Sequence, residues 1–163
     1  MKGVREPSVS GMFYPDDPNS LKKDIGNYLR LADIEPYPAG IRAVISPHAG
    51  YIYSGQVAAY AYKAISALEF DTIIILAPSH RAYFHGVAVW DEGSFKTPLG
   101  TIEIDEKMAG EFLKLKSVFA ANRDVHRGEH SLEVQLPFLQ CIYKSFALVP
   151  LLMGPEDSNI YEK

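Results

Sequence analysis

The sequence has 163 residues, 18.1 kDa, with 47% hydrophobic and 22% charged residues, which suits one globular domain with a buried core. Its formal net charge of −4 argues against a nucleic-acid partner or an anionic membrane surface, since neither attracts an acidic protein. We expect no membrane span and no signal peptide, because no apolar run has the required length. The single cysteine, Cys141, cannot form an internal disulfide, so we expect a cytoplasmic protein.

The first part of the chain predicts an N-terminal arm followed by a helix. Residues 1–20 are irregular and aromatic, and we expect them to pack over the domain because exposed aromatic rings are costly. Asn19-Ser20 begins a helix with apolar residues at helical spacing, and this helix ends before Pro36.

Two short β-branched runs predict parallel strands that are buried on both faces, at 43–45 and 72–76. Between them we predict a tight loop bracketed by Gly50 and Gly55, then a helix beginning near Gln56. Strand, helix and strand in this order form a βαβ unit, which should be right-handed.

The next part of the chain predicts a β-rich excursion. Residues 86–90 predict a strand, and 94–97 with 101–104 predict a hairpin. Asp105 then caps a predicted helix, and residues 121–129 are interpreted as a charged loop.

The last part predicts a helix and a buried strand. The helix opens at His130 and should bend at Pro137, and the strand covers 146–154. We therefore predict an α/β fold: a mainly parallel central sheet flanked by helices, with a β-hairpin excursion near 86–104. We expect a single domain over 1–163 that is incomplete, since the polar tail shows no closing helix.

Histidines follow both predicted parallel strands. His48 comes directly after Pro47, and His80 lies two residues after Pro78. Open α/β sheets bind ligands at the carboxyl ends of their strands, so we expect these histidines to meet at one site. Neutral imidazoles suit Fe, Cu or Zn, but two of them leave a metal site incomplete. The alternative is that each histidine simply bonds a loop carbonyl.

Glu129 and His130 are the next candidates. At the predicted start of a helix they would project toward the pocket beside free backbone N–H groups. Alternatively, Glu129 stabilises the helix dipole and His130 is a solvated loop residue. We expect His126 and His85 on the surface and Cys141 in the core. No phosphate-binding loop, dinucleotide fingerprint or Gly-x-Ser-x-Gly motif is present, so nucleotide binding is not supported.

Together these residues resemble the Memo family, whose bacterial and archaeal members are called AmmeMemoRadiSam system protein B. The resemblance extends over essentially the whole chain. Its matching segments, in the family's order, are 5–7 with 11–15, Pro47-His48-Ala49-Gly50-Tyr51-x-Tyr53-Ser54-Gly55, Ala77-Pro78-Ser79-His80, Thr97-Pro98-Leu99-Gly100 and 129–137.

The family is similar in fold to the LigB-type class III extradiol dioxygenases, which use non-haem Fe(II). By this resemblance, His48 and His80 match two metal ligands, and a bound Fe or Cu ion would have Tyr51, Glu129 and His130 as neighbouring catalytic groups. We predict no residues that bind an organic cofactor. The resemblance places the third metal ligand in the family's C-terminal part, so we expect that ligand to be absent from this chain.

Two functions are compatible with this interpretation. The first is a metal-dependent oxidoreductase of the dioxygenase type. The alternative is a non-catalytic adaptor module that binds a peptide or an anion in the same pocket, as the resemblance to eukaryotic Memo implies. The sequence does not decide whether any reaction is catalysed. An incomplete sheet exposes an edge, so we also expect a homo-oligomer or a partner that completes the domain.

Overall fold

The computed structural model describes residues 3–37 and 40–155, and it confirms the α/β class. Its strands are Val4–Arg5 (β1), Thr72–Pro78 (β2), Val87–Val89 (β3), Ser94–Thr97 (β4), Gly100–Glu103 (β5), Phe119–Ala121 (β6) and Ala147–Met153 (β7). Its helices are Pro18–Leu31 (α1), Tyr51–Ile65 (α2), Glu106–Lys114 (α3), Asp124–Arg127 (α4) and Leu136–Ile142 (α5), with a 3-10 turn at Glu133–Gln135.

The larger sheet has four strands in the order β2-β7-β3-β6. The β2–β7 and β3–β6 pairs are parallel and β3–β7 is antiparallel, so the sheet is mainly parallel, as predicted. The smaller sheet, β1-β4-β5, contains the predicted hairpin between β4 and β5. Strands β1 and β6 were not predicted from the sequence, because β1 has only two residues and β6, Phe119-Ala120-Ala121, contains no β-branched residue.

The N-terminal arm packs on the domain, as predicted. Strand β1 pairs in parallel with β4, and the side chains of Val9 and Tyr14 are buried. Helix α1 then begins with Asp17, whose side chain accepts a hydrogen bond from the Ser20 N–H. This cap satisfies one of the free N–H groups at the helix start.

Two hydrophobic clusters hold the sheets and helices together. One surrounds β3 and β7 and includes the buried Trp90 and Phe95. The other joins α1, α2 and α5 around Phe138, whose ring stacks on Tyr62 at 4.8 Å between ring centroids. Ile75 of β2 contacts both clusters, so this strand connects them.

The predicted strand at 43–45 is wrong. Residues 41–49 carry no strand pairing, and Ile45 is 99% exposed. A β-branched run forms a strand only when a neighbouring strand supplies its ladder hydrogen bonds, and none lies beside these residues in the described part of the chain.

The start of α2 also differs from prediction. Helix α2 begins at Tyr51, not near Gln56, so Gly50 and Gly55 do not bracket a tight loop. Gly55 instead provides close packing, because a Cβ there would lie 2.7 Å from a ring carbon of Tyr28.

Two other predictions about local structure need correction. Pro137 does not bend a longer helix, because it lies in the first turn of α5. Backbone N–H groups in the first turn have no acceptor within the helix, so the missing N–H of proline costs no hydrogen bond there. The predicted charged loop at 121–129 contains the short helix α4.

In the described ranges, no helix combines the length and the apolar character that crossing a bilayer requires.

Candidate metal centre

Three histidine rings converge at one place in the structure. The ring centroids of His48 and His80 are 5.0 Å apart, and His130 lies 4.8 Å from His80 and 6.0 Å from His48. His48 precedes α2, His80 follows β2, and His130 precedes the 3-10 turn. Three separate parts of the chain therefore bring imidazole rings into one cluster.

Glu129 is a buried carboxylate at the base of this cluster. It accepts hydrogen bonds from three backbone N–H groups, those of His80 at 2.5 Å, His130 at 2.8 Å and Ser131 at 2.9 Å. Burial alone would raise the pKa of Glu129, but these donors together with the His80 ring outweigh burial and lower that pKa to about 2. Glu129 is therefore ionised at neutral pH.

The same carboxylate orients the ring of His80. Glu129 Oε1 lies 3.1 Å from His80 Nδ1, which is suitable for accepting a hydrogen bond from Nδ1–H. This arrangement favours the tautomer in which Nε2 carries the free lone pair. A carboxylate behind a histidine is the usual support of a metal-ligating imidazole.

His130 has a buried nitrogen without a partner. Its Nδ1 lies 3.1 Å from Glu129 Oε1 but forms no hydrogen bond with it or with any other residue in the described ranges. Burial is the main cause that lowers the pKa of His130, and the neighbouring His80 and His48 add to it. Burial, followed by repulsion from His80, also lowers the pKa of His48. Both rings are therefore neutral at pH 7, as metal ligation requires.

These groups form a cluster that could hold a metal ion. Ligand atoms of His80, Glu129 and His130 all lie within 4.8 Å of one another. Two imidazoles with one carboxylate are the ligands that non-haem Fe(II) sites use. Because the Glu129 oxygens already receive several N–H donors, Glu129 is better suited to orient His80 than to ligate directly.

A largely apolar cavity of about 720 Å³ opens beside the histidines. Its lining includes Met12, Phe13, His48, Ile52, Tyr53 and His130. The Phe13 ring contacts the His130 ring edge-on, with 4.8 Å between centroids. The N-terminal arm and the start of α2 therefore form one wall of the candidate site.

The Tyr51 side chain belongs to the helical hydrophobic cluster, and its hydroxyl bonds the backbone. The hydroxyl donates a hydrogen bond to the Val134 carbonyl at 2.7 Å, and burial raises the pKa of Tyr51 well above 10. Tyr51 thus supports the segment that follows His130. Its catalytic role stays a prediction, as do the roles assigned to the histidines and Glu129.

The prediction that His126 lies on the surface is wrong. His126 is only 2% exposed, and its Nε2 bonds the Ala88 carbonyl at 3.1 Å. Helix α4 places this ring against Trp90 and Phe95. By contrast, His85 is exposed, as predicted. The prediction for Cys141 holds in part, since it is half-buried against the helical cluster.

Burial of His126 predicts a loss of stability in mild acid. Desolvation lowers its pKa from 6.5 to about 4, with Arg5 contributing in the same direction and Glu129 opposing it. The unfolded chain therefore takes up a proton below pH 6.5 that the folded chain takes up only near pH 4. Stability is fully retained above pH 6.5 and falls by up to about 3 kcal/mol between these values.

Urea unfolding at pH 7 and at pH 4.5 measures this effect. His126→Gln keeps a donor for the Ala88 carbonyl but does not titrate, so it should lose less stability between the two pH values than the wild type. His85→Gln, at an exposed position, is the matched control and should behave as the wild type. Equal losses in the wild type and His126→Gln would contradict the prediction.

Sequence reasoning did not assign a role to Arg5. Its buried guanidinium donates to the backbone carbonyls of His126 and Glu129, the latter at 2.5 Å, and forms an ion pair with Glu133. Arg5 thereby fixes the backbone that carries the carboxylate of the site. The only sequence signal was that Arg5 lies in a segment that resembles the family. Its three partners lie more than 120 residues away, so no local pattern connects them with Arg5.

Comparisons with known proteins agree with the resemblance. The family described as "Memo-like protein" matches residues 5–163. A MEMO1 family protein of Methanopyrus kandleri is 40% identical over 162 residues, covering 94% of this chain and 57% of that protein. MEMO1 family proteins of Sulfolobus acidocaldarius and Thermoplasma volcanium are 38% and 36% identical, covering 98% and 96% of this chain. The chain spans 57–60% of the length of these relatives.

Proposed function

The chain belongs to the Memo-like protein family, and we propose that it binds a transition-metal ion, Fe or Cu, at the cluster of His48, His80 and His130 beside Glu129. The observation that carries the proposal is the convergence of three imidazole rings and one buried carboxylate from distant parts of the chain. Imidazole nitrogen is a preferred ligand of both metals.

Each residue has a distinct role in this proposal. His48 and His80 ligate the metal, and Glu129 holds the proton on His80 Nδ1 so that Nε2 is free to ligate. His130 presents a neutral, unpartnered Nδ1 close to the same centre. It can complete the ligand set or accept a proton from a bound molecule.

We propose further that the site serves an oxidoreductase of the dioxygenase type. When bound, Fe or Cu supplies Lewis-acid and redox chemistry toward dioxygen or an anionic group. The chain's own contribution is to position a small apolar molecule in the cavity against His130. Met12 and Phe13 supply apolar lining surface for such a molecule.

A second candidate is a peptide-binding adaptor. The exposed apolar side chains of Met12, Ile52 and Tyr53 beside the histidines favour it, since exposed apolar patches commonly mark interaction sites. A metal chelator separates the two functions. Peptide binding that survives chelation supports the adaptor, whereas metal-dependent consumption of dioxygen supports the oxidoreductase.

The role of Glu129 gives the direct test of the metal site. Anaerobic titration with Fe(II), and separately with Cu(I), should show one equivalent bound by the wild type. Glu129→Gln removes the negative charge that orients His80, so it should weaken binding roughly 10–100-fold. Circular dichroism should show that the variant keeps its fold.

Glu103→Gln is the matched control for this test. Glu103 is an exposed residue of β5, so this change should leave the affinity unaltered. A wild type that binds neither ion would refute the proposed function. Equal metal affinities of Glu129→Gln and the wild type would mean that Glu129 does not contribute to metal binding.

A further inference from the structure

Gln135 has a buried side-chain amide that bonds to three other groups. The residue is only 8% exposed, and its Nε2 donates to the Pro47 carbonyl at 3.1 Å and to the Ser131 carbonyl at 3.2 Å. Its Oε1 accepts a hydrogen bond from the Tyr62 hydroxyl. Both N–H groups and the oxygen of the amide therefore have partners.

The chemistry of these partners fixes the orientation of the amide. Backbone carbonyls only accept hydrogen bonds, so the carbonyls of Pro47 and Ser131 must face the NH₂ group. Burial raises the pKa of Tyr62, so its hydroxyl stays protonated and donates to Oε1. A buried amide with every group satisfied is held rigidly, because rotation would leave polar groups without partners inside the protein.

One of these bonds ends beside a histidine of the metal site. The Pro47 carbonyl belongs to the peptide group that joins Pro47 to His48, so Gln135 holds the backbone at His48. Gln135 itself ends the 3-10 turn that follows Glu129 and His130 in the chain. The amide therefore ties His48 to the segment that carries the other two groups.

Ser131 extends this link to the segment of His80. The Ser131 hydroxyl donates to the Pro78 carbonyl at 2.7 Å, two residues before His80. The Ser131 N–H donates to Glu129 Oε1 at 2.9 Å, and the other oxygen of that carboxylate accepts from the His80 N–H. Hydrogen bonds that meet at Ser131 and Gln135 thus join all three segments that bear the histidines.

We propose that Gln135 is a positioning residue of the metal centre, which sets the place of His48 relative to His80. It acts through its hydrogen bond to the Pro47 carbonyl, and it is not among the residues that line the cavity beside the histidines. This inference rests on the metal site proposed above, where ligands must be held to within about 0.5 Å of their working positions.

Nuclear magnetic resonance of the metal-free protein tests the positioning directly. The ring centroids of His48 and His80 are 5.0 Å apart, so the wild type should show a nuclear Overhauser effect between these rings. Gln135→Met keeps the length of the side chain but removes both N–H donors, so this effect should weaken severalfold. The effect between His80 and His130, 4.8 Å apart, should stay unchanged because Glu129 still bonds both residues.

A double-mutant cycle on metal affinity tests whether Gln135 acts through His48. Gln135→Met should weaken Cu(I) binding roughly 10-fold, as is usual when a group that orients a ligand is lost. In the His48→Ala background the same change should have at most about a twofold effect, because the ligand that Gln135 positions is absent. A general loss of structure would instead weaken binding equally in both backgrounds.

Two further variants complete the test. Gln140→Met is the matched control, because the Gln140 amide of α5 bonds the Thr97 hydroxyl and the Gly100 carbonyl and no histidine-bearing segment. It should change neither the ring-to-ring effect nor the metal affinity. The double variant Tyr62→Phe/Gln135→Met leaves no buried hydroxyl without its acceptor, so it serves in both experiments if Gln135→Met does not fold.

Two outcomes would overturn the proposal. Either the effect between the His48 and His80 rings has the same intensity in the wild type and in Gln135→Met, or Gln135→Met weakens metal binding equally with and without His48. The metal-free measurement also separates this inference from the proposed function. A wild type that binds no metal, but loses the ring-to-ring effect on Gln135→Met, would refute the proposed function and still support the positioning role.

Discussion

Replacing both His48 and His80 with alanine is expected to abolish the binding of Fe(II) and Cu(I). The two rings lie 5.0 Å apart between centroids and supply the two imidazole ligands of the proposed site. Structural zinc sites indicate the scale, at about 10–16 kcal/mol for four ligands, or about 3 kcal/mol for each. Loss of two ligands should therefore weaken binding roughly 10⁴-fold, which is effectively complete loss.

The fold should tolerate this double substitution. The His80 side chain is 41% exposed and His48 is partly exposed, so their removal leaves no sealed cavity. His85→Ala is the matched control, because His85 is an exposed histidine on the same connection after β2. Anaerobic metal titration with circular dichroism as a check of folding measures the effect. One equivalent bound by the double variant with unchanged affinity would refute the assignment of these ligands.

Glu133→Gln is expected to destabilise the protein by about 3–5 kcal/mol. Glu133 is fully buried and forms an ion pair with Arg5, which is itself buried. Burial alone would raise the pKa of Glu133, but the charge of Arg5 and the hydrogen bond from Tyr14 lower it, so it is ionised. The amide in the variant carries no charge, and the Arg5 cation is then left buried without a counter-ion.

The neighbours of Glu133 add to this cost. Its two carboxylate oxygens accept hydrogen bonds from the Tyr14 hydroxyl at 2.5 Å, the Ser8 N–H at 2.8 Å and the Val9 N–H at 3.1 Å. An amide has only one oxygen, so part of this network loses its acceptor. Because all three donors belong to the N-terminal arm, the arm should detach before the rest of the chain unfolds.

Urea unfolding measures the predicted change. The control is Glu111→Gln, since Glu111 forms an exposed ion pair with Lys114 at 2.6 Å within α3. Such a surface pair contributes at most about 0.5 kcal/mol, so the same chemical change should have a small effect. A loss below about 1 kcal/mol in Glu133→Gln would mean that the buried network does not stabilise the fold.

The sequence by itself determined those elements that depend on local physical chemistry. The aliphatic runs of β2 and β7, the hairpin between β4 and β5, and the Asp105 cap of α3 all lie where their patterns predict. The end of a strand at a proline and the start of a helix at an aspartate are specified by residues that are adjacent in the chain. The sequence also predicted that His48 and His80 meet, and their ring centroids lie 5.0 Å apart, but the reason given for it is half wrong because residues 43–45 form no strand.

Only the tertiary structure decided the features that depend on distant partners. Residues 43–45 have the composition of a strand but form none, because the described chain offers them no neighbouring strand. His126 is buried because its ring packs against Trp90 and Phe95, and Glu129 is ionised because three N–H groups from two separate segments converge on it. Burial and electrostatic environment are properties of the folded assembly of segments, and no pattern within one segment specifies them.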